Sequence, residues 1–170
     1  MGIRKQLKRI MSKFQVFIES VSKSGFVIDM CGEKPETQLI VYKKKTRGIN
    51  NQLWSLETRA RLECANVNGS LRFAGFPTNE ECTVAFRSCH TTTAFVMRDG
   101  NEDGLNTHVS VRSKIPGEAA QWIINYEGNS AYTIRAATNF DMCITDVGGR
   151  LVIQPASEKL ANQMWKFVPK

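Results

Sequence analysis

Tryptophan occurs three times in this chain of 170 residues, each time in nearly the same local setting. Asn51-Gln52-Leu53-Trp54 and Asn162-Gln163-Met164-Trp165 are two copies of N-Q-x-W. Each is followed by alternating residues, Ser55-Leu56-Glu57 and Lys166-Phe167-Val168, which put the indole on the same strand face as the next-but-one apolar side chain. Ala119-Ala120-Gln121-Trp122, ahead of Ile123 and Ile124, is a worn third copy whose Gln stands one place late and whose Asn is missing. The separations are unequal: 40 residues from Phe14 to Trp54, 68 from Trp54 to Trp122 and 43 from Trp122 to Trp165. An indole buries a large apolar area and needs a partner for its N–H, and a neighbouring amide offers both donor and acceptor to turn backbone that lacks a ladder partner. The recurrence implies an internal repeat with this motif as its structural fastener.

Between the motifs the apolar period is two. In the first unit it runs through Phe14, Val16 and Ile18, then Phe26 and Ile28, then Leu39 and Val41, then Leu53 and its neighbours. Turn formers separate these runs, in Ser22-Lys23-Ser24-Gly25, Cys31-Gly32-Glu33-Lys34-Pro35 and Thr46-Arg47-Gly48-Ile49-Asn50. The last unit repeats the plan with Tyr132 and Ile134, Cys143-Ile144, Leu151 to Ile153, and Trp165 to Val168. The middle unit, about 57–124, is too long by roughly 25 residues. Its strand-like runs are Arg61 to Cys64, Ser70 to Phe73, Cys82 to Phe86, Ala94 to Met97 and His108 to Arg112, more than a four-stranded unit needs. An extra hairpin is therefore expected, around residues 76–104, with Asp99-Gly100-Asn101-Glu102-Asp103-Gly104 as its turn signal.

Over about residues 13–170 this pattern resembles the β-trefoil domains of the ricin B-chain type, whose three repeats each end in a Q-x-W strand. The resemblance implies an all-β β-trefoil with pseudo-repeats at about 13–56, 57–124 and 125–170, an inserted hairpin in the middle repeat, and a short basic tail or helix over residues 1–12. It also implies sugar binding. In such sites an Asp early in the repeat takes two sugar hydroxyls, an aromatic twelve residues before the Trp stacks on the ring, and the Asn of N-Q-x-W completes the set. Asp29, Tyr42, Asn51 and Gln52 fill those places in the first repeat. A carboxylate accepts strongly from vicinal hydroxyls, an amide donates and accepts, and an aromatic face covers the C–H patch of a sugar. Ile40 departs from the pattern, standing where the family often has a Gln, so one hydroxyl partner is lost. The third repeat keeps Asn162 and Gln163 but has Thr145 in the Asp position, Asp146 displaced by one, and Ile153 in place of the aromatic, which implies a weak second site. The middle repeat lacks the Asn and has Ser110 near the aromatic position.

The expectation is a non-catalytic lectin for galactose- or N-acetylgalactosamine-type glycans, with avidity from a second site or a homodimer. The alternative is a trefoil that binds proteins as inhibitor, toxin subunit or scaffold through the middle insertion, with vestigial sugar sites.

Charge excludes some partners. The chain carries a net +7, but residues 1–13 hold five basic and no acidic side chains, leaving the body at +2. That distribution argues against a specific nucleic-acid partner. Lys43-Lys44-Lys45 with Arg47 either meets an anionic group or guards an exposed strand edge. Ile3, Leu7, Ile10 and Met11 recur at helical spacing opposite Arg4, Lys5, Lys8 and Arg9, giving either a frayed tail or a short helix for an anionic surface. No apolar run is long enough to span a membrane, and Lys5, Lys8, Arg9 and Lys13 interrupt any secretory signal. A cytoplasmic location is expected, with unconventional export left open.

Five cysteines, an odd number without C-x-x-C spacing, are expected to be free buried thiols. Enzyme chemistry has little to stand on. The two histidines are His90 and His108, and Cys89-His90 are strand neighbours that point to opposite faces. Cys64, Cys82, Cys89 and His90 match no usual zinc spacing, and Glu80, Glu81 and the acids of residues 99–103 are loop residues. No catalytic residue, metal or cofactor is expected.

Overall fold

The computed structural model describes residues 12–58, 63–74, 83–100, 105–113 and 117–170. The basic segment 1–11 lies outside them, and the first strand begins at Ser12. In chain order the strands of the first unit are β1 (Ser12–Ser20), β2 (Phe26–Asp29), β3 (Thr37–Gln38), β4 (Ile40–Lys43) and β5 (Trp54–Thr58). Next come β6 (Glu63–Val67), β7 (Ser70–Ala74), β8 (Val84–Ser88), β9 (Phe95–Arg98), β10 (Val109–Arg112) and β11 (Trp122–Gly128). The last unit has β12 (Ala131–Ala136), β13 (Asn139–Val147), β14 (Arg150–Pro155) and β15 (Trp165–Pro169).

Six of these strands close a ring. β1 pairs with β5, β5 with β8, β8 with β11, β11 with β12, β12 with β15, and β15 returns to β1. Closure leaves the ring without an open edge. Three hairpins, β2–β4, β9–β10 and β13–β14, form a triangle beside it. Ile40 against Arg150, Gln38 against Ser110, and His108 against Val152 join the hairpins in turn. This is a β-trefoil.

The tryptophans report its threefold character. Each opens a ring strand, and each faces its counterpart in register: Trp54 opposite Val16, Trp122 opposite Val84, Trp165 opposite Tyr132. All three are wholly buried, and each indole N–H donates to a hairpin carbonyl, that of Ile28 (3.1 Å), Val96 (3.1 Å) or Ile144 (3.3 Å). The indole thus joins ring to hairpin while satisfying its own donor.

The inserted hairpin is elsewhere than its turn signal suggested. Asp99 and Gly100 follow β9 in the β9–β10 hairpin of the triangle, where Asp99 N–H donates to His108 O (2.8 Å), whereas the surplus lies between Thr58 and Val84 and contains the separate two-stranded sheet β6–β7. The equivalent connection from β11 to β12 is a tight turn at Asn129 and Ser130, both at positive φ. The hairpin turns Leu71 and Phe73 inward. The Phe73 ring packs edge-on against Phe14, Tyr132 and Phe167, with centroids 5.8–5.9 Å away, and its N–H donates to Tyr132 Oη at 3.0 Å. The described part of the insertion therefore serves as a plug for the ring.

The thiols also differ from expectation. Cys143 is buried, Cys89 is half-buried, and Cys31 and Cys64 are exposed; Cys82 lies outside the described residues. No helix among the described residues is long and apolar enough to cross a membrane.

Candidate functional site

A short 3₁₀ turn precedes each ring tryptophan, over Ile49–Gln52, Glu118–Ala120 and Ala161–Gln163. In the first and third the Gln is buried and clamps the chain as it leaves a hairpin strand. Gln52 Nε2 donates to Lys43 O (2.9 Å) while its Oε1 accepts from Lys45 N–H (2.8 Å). Gln163 does the same with Pro155 O and Ser157 N–H, both at 2.8 Å. These are backbone groups beyond the end of a ladder, which the amide's paired donor and acceptor satisfy. In the middle repeat buried Ala120 stands where the clamp would be, and Gln121 is exposed.

In the first repeat the same amide also reaches the carboxylate. Gln52 Nε2 lies 2.8 Å from Asp29 Oδ2, and Asn51 Nδ2 lies 3.3 Å from Asp29 Oδ1. Asn51 O accepts from Met30 N–H at 2.8 Å, which fixes the turn to the end of β2. Asp29 faces Ile40 across the hairpin and Val27 faces Tyr42, so Asp29, Ile40 and Tyr42 share one face. They line a cleft of ≈ 390 Å³ together with Cys31, Gly32, Lys45 and Asn51. Asp29 is only 3% exposed and forms its inner wall, while Tyr42, 53% exposed, forms its rim. All four side chains expected in the first site, Asp29, Tyr42, Asn51 and Gln52, thus fall in one place.

The sequence placed Lys45 in the basic knot and not among the side chains of the first site. Its Nζ is 3.3 Å from Asn51 Oδ1, so the cleft contains a cation as well as a carboxylate. The basic knot is divided: Lys44 stands over the Phe17 ring, 4.3 Å from its centroid, and Lys43 is exposed. Ile40, an apolar side chain, occupies the place directly across from Asp29.

The third repeat is built differently. Gln163 Nε2 donates to Thr145 Oγ1 (3.2 Å), so Thr145 is the spatial counterpart of Asp29. Asp146 accepts from Gly149 N–H (2.8 Å) and pairs with Lys23 (3.3 Å), and Asn162 Nδ2 donates to Asp146 O (3.1 Å). Cross-strand register corrects two sequence alignments. Ile153 faces Ile144 and matches buried Val41, so Gln154 is the counterpart of Tyr42. In the middle repeat Ser110 matches Ile40, and Arg112 holds the Tyr42 position, bonded to Asp99 at 2.7 Å. At the position of Tyr42 neither repeat carries an aromatic ring. Among the described residues no group of three or more His, Cys, Asp or Glu could hold a metal ion.

No protein-family model and no curated protein matches the chain. Solved structures do. A mosquitocidal holotoxin matches over 95% of this chain, with TM-score 0.68 and 12% identity, although the chain spans only 18% of it. The Rhizoctonia solani agglutinin gives a TM-score of 0.65 and 16% identity over 94% of this chain and 96% of its own. The Macrolepiota procera ricin B-like lectin, solved in complex with lactose, gives 0.61 and 16% over 92% and 95%. What is shared is the fold. At such identities the residues of this chain's own cleft must carry any statement about function.

Proposed function

We propose that the protein binds carbohydrate without catalysis, through the first-repeat cleft, and that its ligands are galactose- or N-acetylgalactosamine-type glycans. The observation that carries this reading is the Asp29 carboxylate fixed by two amides on the same face as an exposed Tyr42. A sugar ring laid on Tyr42 turns its C–H patch to the aromatic face and its hydroxyls toward Asp29 and Asn51, the division of labour that a weakly amphipathic ring requires. Lactose in the Macrolepiota procera structure supports the choice of ligand class. A weaker second contact at Asp146, Asn162 and Gln163 belongs to the same proposal, because the amides are retained there while the platform is not.

Isothermal titration with galactose, N-acetylgalactosamine and lactose tests the reading. Binding should disappear in Tyr42→Ala, an exposed substitution that leaves the core untouched, and in Asp29→Ala. Unchanged binding in both variants would remove the first cleft from consideration.

A further inference from the structure

The sheet face that carries the cleft continues beyond Ile40. Register sets Asp29 opposite Ile40, Ile40 opposite Arg150, and Arg150 opposite Val147, so these side chains stand in one row on one face of β2, β4, β14 and β13. Ile40 and Arg150 are flanked by Val41 N–H donating to Gly149 O (2.8 Å) and Leu151 N–H donating to Leu39 O (3.0 Å). That is the non-hydrogen-bonded pairing, in which opposite side chains come closest. Arg150 is exposed, and its guanidinium makes no ion pair with a described residue. The adjoining turn, Gly148-Gly149, leaves open space where side chains would otherwise stand.

The accessible charge along this row is positive. Asp29 lies inward and receives amide N–H groups, whereas Lys45 lines the near part of the cleft and Arg150 stands at the far end. Between them Ile40 offers an apolar floor. A hydroxyl pressed against it would lose its water without a replacement, so a ligand crosses there with C–H groups. A guanidinium is suited to the next position, since its planar fork matches a carboxylate or sulfate.

We propose that this groove takes an acidic saccharide, whose neutral ring occupies the cleft beside Tyr42 and whose carboxylate or sulfate group meets Arg150. The inference rests on the carbohydrate reading above and narrows it. Arg150 comes from the third repeat, so the groove joins two hairpins of the triangle and would be lost in an isolated repeat.

The test is titration of the full chain with lactose, sialyllactose and sulfated lactose, using the wild type, Arg150→Gln and Arg150→Lys. At low ionic strength at least one acidic ligand should bind about fivefold more tightly than lactose, the strength of an exposed ion pair. The gain should vanish in Arg150→Gln, persist in Arg150→Lys and fade with added salt, while lactose affinity stays the same in all three proteins. A response to one anion and not the other identifies the acidic group. Equal affinity for lactose and both acidic ligands, or a gain that survives Arg150→Gln, overturns the role of Arg150 and leaves the neutral-sugar reading intact. Absence of binding to every saccharide overturns both.

Discussion

Gln52 donates from Nε2 to Asp29 Oδ2 at 2.8 Å with both side chains buried, so the amide that fastens the repeat is also the group that holds the cleft's carboxylate. Gln163 has the same backbone clamp but reaches Thr145, which has no charge to present.

The two glutamines should therefore separate stability from binding. Gln52→Leu and Gln163→Leu each leave a backbone N–H and a carbonyl without their partner, at about 1–3 kcal/mol, and urea unfolding should show similar losses. Saccharide affinity of the first-repeat cleft should fall in Gln52→Leu and remain in Gln163→Leu, where only the weaker second contact is affected. Equal effects on binding would show that Asp29 does not depend on the clamp.

Phe73 should matter to the whole ring. Its side chain touches Phe14, Tyr132 and Phe167, and Phe73→Ala is expected to cost about 3–5 kcal/mol. Deleting residues 63–74 should uncover the same aromatics and raise binding of a hydrophobic dye. A deletion variant as stable as the parent would mean that the hairpin is a surface ornament and not a plug.

Asp99 gives stability an acid limb. Burial pushes its carboxyl pKa up, but hydrogen bonds from Arg112 and Ser110 and the Arg112 charge outweigh burial, and the net shift is downward. A carboxyl with a folded pKa below its unfolded one contributes stability above the unfolded value, about pH 4, and loses it as pH falls through the lower folded value. Asp99→Asn should lower the urea midpoint at neutral pH and flatten its decline below about pH 4. A parallel curve would assign the acid limb to other carboxyls.

Cys31 offers a chemical reporter of the cleft. It is exposed and lines the cleft, whereas burial pushes the Cys143 thiol up to about 11 and leaves it protonated at neutral pH. Iodoacetamide followed by peptide mass spectrometry should label Cys31 quickly and Cys143 slowly. A bound saccharide should slow Cys31 and leave exposed Cys64 unaffected. Equal slowing at Cys64 would point to a general effect on the fold.

Much of this was legible in the sequence because a closed ring makes its strands alternate strictly, and the repeated Asn-Gln-x-Trp carries its own backbone requirement. Asp29 and Tyr42 were brought together by the family resemblance, and the register of β2 with β4 sets them on one face. The inserted hairpin was misplaced because turn chemistry does not say which turn it builds. Residues 99–104 carry the stronger signal, yet Asn68-Gly69, with φ of 52° and 86°, makes the actual inserted turn. Counting back from the tryptophan succeeded at Tyr42 and failed at Ile153 and Ser110, where loops of other lengths shift the count relative to the register. Local reading placed Lys45 in the basic knot but could not assign it to the cleft, and it could not find Arg150 at all. One depends on the clamp of Gln52 on its backbone N–H, the other on contact between two repeats.

The most direct measurement is an amide chemical-shift titration of the full chain with lactose. Shifts should concentrate at Cys31, Gly32, Ile40, Tyr42, Lys45 and Asn51, saturate together, and be absent in Tyr42→Ala. Shifts gathered on residues 63–74, or none at high lactose concentration, would contradict a sugar site in the first-repeat cleft.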